Sequence, residues 1–439
     1  MNRRTFLANS AGATAFLMSN GLIAATAKRQ PIPDETILKT AREQIPSHRL
    51  GSLTFHLRDE NGRSLKHAKI KLEQLRHEFL FGSNFFVFGN CGNPELEEQY
   101  RERFGKLFNY CTLGFYWGAY EPQRGQPNYS YTDKVVDYCQ QHAITCKGHP
   151  LVWDHAVSTP TWLPADLKDV EELSKTRVRE IVSRYKGRID IWDVVNEATH
   201  LYEIKNKSRM DDLGIAMGQI EYVAQHLKIA RAANPGAALL VNDYKNNPAY
   251  FKLLDSLREK DKLLFDIVGL QSHQHHGAWP LQKVWDMCEL FTSLGRPIHF
   301  TETTFVSGKK TGETWGLTAA ADEEKQAEAV EKFYTTLFGH PGVQAITWWD
   351  FADLGAWQGA PAGYLRNDMS PKPAYDRLLS LIKGKWWTNA EGVTGVLGRV
   401  GLRAFYGTHR VLITLANGRE FNREIELRRG KEHHFDLHV

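Results

Sequence analysis

Eight times between residues 79 and 351, a short apolar run rich in β-branched and aromatic residues gives way to a longer amphipathic one. The short runs lie at 79–86, 110–115, 145–153, 189–197, 238–244, 266–273, 297–303 and 343–351, and their length and composition predict strands. Helical spacing fills the intervals. Met217, Ile220, Val223, Leu227 and Ala230 recur every three or four residues until Asn234-Pro235-Gly236 stops the run. Ala327, Val330, Phe333 and Leu337 draw the same stripe in the seventh interval. A helix after every strand predicts parallel pairing, because a parallel pair needs a crossover. Eight such units suit a closed (β/α)8 barrel or an open doubly wound sheet, and periodicity does not choose between them.

The flanks follow a different rule. Residues 50–77 alternate through Leu53, Phe55 and Leu57, turn at Asn61-Gly62, and alternate again through Ile70 and Leu72, the pattern of a β-hairpin. From about residue 395 the pattern returns. Val411, Ile413 and Leu415 precede Asn417-Gly418, and Ile425 and Leu427 follow it. A lone hairpin is marginal in water, so the two flanks are expected to pack into one small β-rich accessory module. The expected organisation is a leader at 1–27, an N-terminal extension at 28–78, the barrel at 79–385 and a C-terminal β segment at 386–439.

Composition adds limits. The chain of 439 residues is 42% hydrophobic and 24% charged, as in ordinary globular proteins. The formal charge of +4 includes Arg3 and Arg4, and basic residues form no runs, so nucleic acid is not an expected partner. Asn2-Arg3-Arg4-Thr5-Phe6-Leu7 and the small-residue stretch ending in Ala25-Thr26-Ala27 read as a twin-arginine-like export signal cleaved near Ala27. The product is expected in the periplasm or outside the cell, as a monomer without membrane insertion. Cys91, Cys111, Cys139, Cys146 and Cys288 show no C-x-x-C pair and read as buried small apolar residues. No metal site is expected, since the adjacent His273, His275 and His276 lack a carboxylate at ligand spacing.

Polar and aromatic residues gather at the C-terminal ends of the predicted strands: His149 and Trp153, Asn196 and Glu197, Asn242 and Asp243, Gln271 and His273, Glu302, and Trp349. In a barrel those ends share one cup, where active sites lie, and this favours the barrel over the open sheet. Glycosidic cleavage needs an acid to protonate the leaving oxygen and a carboxylate to attack or stabilise the anomeric carbon. Glu197 and Glu302, three strands apart, can supply that pair. A separation of about 5–5.5 Å would imply retention and a wider one inversion. Mutual repulsion should raise one of the two pKa values.

Several motifs occur in order: Glu121-Pro122 with Gly125, Gly148-His149-Pro150-Leu151-Val152-Trp153, Trp192-Asp193-Val194-Val195-Asn196-Glu197, and Asn242-Asp243-Tyr244. Gly269-Leu270-Gln271-Ser272-His273, Phe300-Thr301-Glu302, Trp349 through Asp353 to Trp357, and Pro371-Lys372-Pro373-Ala374-Tyr375 complete the series. Over residues 79–385 the chain resembles glycoside hydrolase family 10, best known for endo-β-1,4-xylanases. The resemblance implies Glu197 as acid/base, Glu302 as nucleophile, Asn196 as a donor to the sugar, and Gln271 and His273 as hydrogen-bond partners of the two glutamates. It implies an aromatic wall of Trp349 and Trp357, a polysaccharide or oligosaccharide substrate, and no cofactor. His149 and Trp153 are expected among the substrate-binding residues.

Departures cluster on one side of the cleft. The family's Glu-Asn-x-x-Lys-Trp appears as Thr112-Leu113-Gly114-Phe115-Tyr116-Trp117, its His-Ser-Gln after Trp153 as Asp154-His155-Ala156, and its Gly after Trp349 as Asp350. Asp154 and Asp350 are therefore read either as contacts to a differently placed hydroxyl or a cationic sugar or as simple loop fillers, and Tyr116 and Asp154 are expected among the substrate-binding residues. A site built on hydroxyl hydrogen bonds discriminates strongly, so the sugar is open while the hydrolytic machinery is kept. The alternatives are an exo-acting or oligosaccharide-specific glycosidase for a sugar other than xylose, and a silent carbohydrate-binding barrel.

Overall fold

The computed structural model describes residues 31–202, 208–312, 314–316 and 319–439; the expected leader at 1–27 lies outside them. Strands form where the apolar runs predict: Leu80–Asn84, Tyr110–Gly114, Thr145–His149, Ile191–Asn196, Ala238–Asp243, Ile267–Gln274, Ile298–Phe305 and Val343–Trp348. We number these barrel strands one to eight. Each pairs in parallel with its neighbour in sequence, and strand eight returns to strand one through Ile346 opposite Phe81. The sheet therefore closes into a (β/α)8 barrel. Gly148 of strand three faces Trp192 of strand four, where a Cβ would lie 2.1 Å from the indole ring. Only a glycine lets that buried ring lie across the strand.

The helix Ala320–Gly339 buries Ala327, Val330, Phe333 and Leu337, the stripe its sequence draws. Burying each large apolar side chain contributes roughly 1.5–3 kcal/mol. The fourth-interval stripe is broken. Gly218, at φ +84°, separates a short helix, Arg209–Met217, from Gln219–Ala233. The second helix buries Val223, Leu227 and Ala230 with Tyr222 and His226, while Ile220 is exposed. All five cysteines are buried free thiols. Among the described residues no helix is long and apolar enough to cross a membrane.

The flanks do form one β module, but residues 50–77 are not a hairpin. Strand Leu50–Arg58 pairs with Arg399–Phe405 and His434–His438, whereas Lys69–His77 pairs with Asn389–Val393 and Gly407–Thr414. The alternation identified the buried faces correctly: Leu53, Phe55, Leu57, Ile70 and Leu72 share one core between two sheets. Alternation fixes a face and not a partner, and the Asn61-Gly62 turn closes only the Arg58–Ser64 bridge. The C-terminal hairpin does form, with Ile413 opposite Phe421.

The helix Asp34–Arg49 precedes the module and is absent from the sequence reading. It packs so closely on the end of Ala320–Gly339 that a Cβ on Gly339 would meet the Ala41 carbonyl at 2.4 Å. At its end, buried Arg49 donates to the carbonyls of Phe338, His340 and Val343. Arg76 likewise reaches the Asn109 carbonyl, and Arg429 the Pro341 carbonyl. These contacts lie where barrel strands begin, so the module covers the N-terminal end of the barrel, opposite the strand ends discussed next.

Candidate active site

The C-terminal strand ends enclose a cleft of about 770 Å³, lined by Asn196, Glu197, Gln271, His273, Glu302 and aromatic residues. Each glutamate is held by neighbouring strands. Gln271 Nε2 donates to Glu197 Oε1 at 2.8 Å, and Trp153 Nε1 donates to Glu197 Oε2 at 3.1 Å. Glu197 ends strand four with φ +58°, an uncommon left-handed conformation for a side-chain-bearing residue. The turn that follows is clamped by Asp243, which accepts from both Thr199 N and Thr199 Oγ1. Such a conformation costs on the order of 1–3 kcal/mol and persists where surrounding bonds over-determine it.

Glu302 receives more donors. Asn242 Nδ2 donates to its Oε1 at 2.7 Å, and His273 Nε2 lies 3.1 Å from Oε2. The same Asn242 amide donates to Asn196 Oδ1 at 2.8 Å, which leaves the Asn196 nitrogen as the group available to a ligand. Gly269 makes room for this arrangement, because a Cβ there would lie 2.8 Å from Asn242 Oδ1. Behind Glu302 runs a buried chain of charges. Lys147 Nζ and His149 Nδ1 both lie 2.7 Å from Asp193 Oδ2, and His149 Nε2 faces Glu302 Oε1 at 3.8 Å. Asp193 orients the His149 ring through Nδ1, and His273 is set likewise by Thr304 Oγ1 at 2.8 Å.

The two carboxyls titrate in opposite directions. Burial first, then the nearby charge of Glu302, raises the Glu197 pKa to about 7. Burial also pushes Glu302 upward, but the His273 hydrogen bond and the charges of His149, His273 and Lys147 outweigh it and hold its pKa below the ordinary value. Between the ordinary glutamate range and about pH 7, Glu197 keeps its proton while Glu302 is ionised. That is the division of labour between a proton donor and an anionic nucleophile.

Trp349 stands 5.3 Å from the His149 ring and 5.8 Å from His273, and Trp357 stands 4.7 Å from His273. Tyr116 lines the cleft, 6.0 Å from Trp153 and 6.2 Å from Phe86. Leu113, at the family's Asn position, turns into the core instead. Asp154 departs from expectation. Its buried carboxyl lies behind the cleft wall, with Oδ1 3.2 Å from His200 Nε2, because the turn after Glu197 brings that imidazole between Asp154 and the cavity. Trp386 stacks on Phe338 at 4.3 Å and packs the barrel's lower end.

Asn242, Lys147 and Asp193 join the glutamates in ways the motifs alone did not assign. Asn242 is a polar residue near the C-terminal end of the buried strand five, and that position was the available signal. Phe86, His200 and Asp350 also line the cleft. Asp350 accepts from Trp357 N at 3.1 Å, and burial raises its pKa to about 6.

Comparison with known proteins agrees with this geometry. Endo-1,4-β-xylanase B of Thermotoga neapolitana is 29% identical over 325 residues, covering 70% of this chain and 88% of that protein. Anti-sigma-I factor RsgI6 of Acetivibrio thermocellus is 25% identical over 398 residues, and the chain spans only 48% of its length. The crystal structure of native xylanase 10B from Thermotoga maritima matches 70% of this chain and 96% of its own, with TM-score 0.60 and 25% identity. The model of glycosyl hydrolase family 10 matches residues 78–381, which contain every barrel strand and both glutamates, and the chain belongs to that family.

Proposed function

We propose that this protein is a retaining glycoside hydrolase that cleaves β-linked polysaccharide internally, with xylan the first substrate to try. The observation that carries the reading is the placement of Glu197 and Glu302 in one cleft with separate partner sets, Gln271 and Trp153 for one and Asn242 and His273 for the other, in a chain of family 10. Glu302, ionised and aimed by His273 and Asn242, attacks the anomeric carbon as the leaving oxygen takes the proton of Glu197. Glu197, now a carboxylate, takes a proton from water, and that water's oxygen displaces Glu302. Asn196 would bind a hydroxyl of the sugar at the cleavage point, and Trp349 and Trp357 its apolar faces.

The names of the xylanase relatives support the xylan reading, and the twin-arginine-like leader supports action in the periplasm or outside the cell. A second reading, action on oligosaccharides or from a chain end, is favoured by Tyr116, aromatic where the family shows Lys and packed edge-on against Phe86 in the cleft. Incubation with xylan, other β-glucans and aryl β-glycosides tests both, with product anomers followed by NMR. Random shortening of xylan with β-anomers first supports the main reading. Release from one end only supports the second. An inverted product overturns the mechanism.

A further inference from the structure

The turn after Glu197 carries a feature that the cleavage scheme does not use. His200 is buried on the cleft wall, with Nδ1 3.9 Å from Glu197 Oε2 and Nε2 3.2 Å from Asp154 Oδ1. Asp154 occupies the position where the family shows His, so the departure noted in the sequence has its counterpart in this imidazole. The backbone places both partners. The left-handed Glu197 starts the tight turn Ala198–His200, and the carbonyl of Asp154 receives Ser208 Oγ.

We propose that Asp154 and His200 form a cationic brace that positions the Glu197 carboxyl and favours its ionised form at the moment it releases its proton. The inference rests on Glu197 being the acid/base. It makes His200 a positioning residue, acting through Glu197 without exchanging a proton with the substrate.

The surroundings agree. Among the described residues, Asp154, Glu197 and Asp243 face His200, all acidic, with the Tyr244 ring at 6.0 Å. Burial works against its charge, but the bond to Asp154 and the three carboxylates outweigh burial and raise its pKa. Around Glu197, burial and the charges of Glu302 and Asp243 favour the protonated form, whereas Gln271 and His200 favour the ionised one. His155, beside Asp154, has its pKa lowered by burial, and Tyr222 and Asp211 stand behind Asp154. His200 thus supplies, among the described residues, positive charge opposing the two carboxylates at the acid/base.

The test compares pH profiles of kcat/KM for wild type, His200→Gln, Asp154→Asn and Glu197→Ala on an alkyl and a dinitrophenyl glycoside. Loss of the cation should move the basic limb upward by about half to one pH unit in both brace variants. It should slow the alkyl glycoside about ten-fold and the dinitrophenyl one hardly at all, since only a poor leaving group needs the proton. A structural role alone would lower both rates at every pH without moving the limb. An unmoved limb in folded His200→Gln and Asp154→Asn overturns the brace, provided Glu197→Ala abolishes that limb. If Glu197→Ala keeps it, the acid/base assignment itself fails. The ¹⁵N shifts of the wild-type His200 ring at pH 6 give a check free of variants: a protonated ring is expected, and a neutral one overturns the proposal.

Discussion

The strand-four and strand-seven sides of the cleft present the same functional group in contrasting settings. Glu302 is surrounded by donors and by positive charge relayed from the barrel interior, whereas Glu197 has one amide, one indole, the His200 imidazole at 3.9 Å and a strained turn. Both are buried, so burial does not separate them. The difference comes from what else was buried with each. A carboxylate compensated by several hydrogen bonds stays ionised in a dry site, and a sparsely compensated one keeps its proton.

The largest effect should follow from removing the anionic side altogether. Glu302→Ala is expected to lower kcat/KM by about 10⁴-fold or more on every substrate, measured against aryl glycosides and polysaccharide alike. Glu197→Ala should cost about 10²–10⁴-fold on polysaccharide and much less on substrates with activated leaving groups. Equal losses on both would erase the proposed contrast. Gly269→Ala presses on the Val241 carbonyl as well as on Asn242 between the two sides, and should lower activity about 10- to 100-fold together with a fall in Tm.

The contrast also sets a pH window. Activity requires Glu197 protonated and Glu302 ionised, so it should fall as pH rises through about 7 and fall again at acidic pH below the ordinary glutamate range. His273→Ala removes a group that lowers the Glu302 pKa, so that pKa rises and the acidic limb of the profile should move to higher pH. This is the smallest expected change, read from the limb rather than the maximum rate.

Much of this arrangement was legible in the chain. The eight strands, their order and the strand-end placement of both glutamates follow from period and position, because a parallel barrel repeats one local pattern. What the sequence withheld was partnership. Leu53, Phe55 and Leu57 announced a buried face, yet their partners lie at the far end of the chain. His200 and Asp154 gave no sign of meeting, since a left-handed turn at Glu197 brings them together and no periodicity encodes it. Ile220 carried a hydrophobic phase that Gly218 reset.

The interleaved flanks have a consequence for biosynthesis. Leu53 pairs with Leu402 and Leu72 with Val411, so the module's first strands leave the ribosome long before their partners exist. Until then they present unpaired strand edges, which tend to associate with other chains. Such distant pairings are slow to form. The barrel between them must be synthesised before the module can close, so a closed module marks a chain extended at least through its last paired strand, His434–His438.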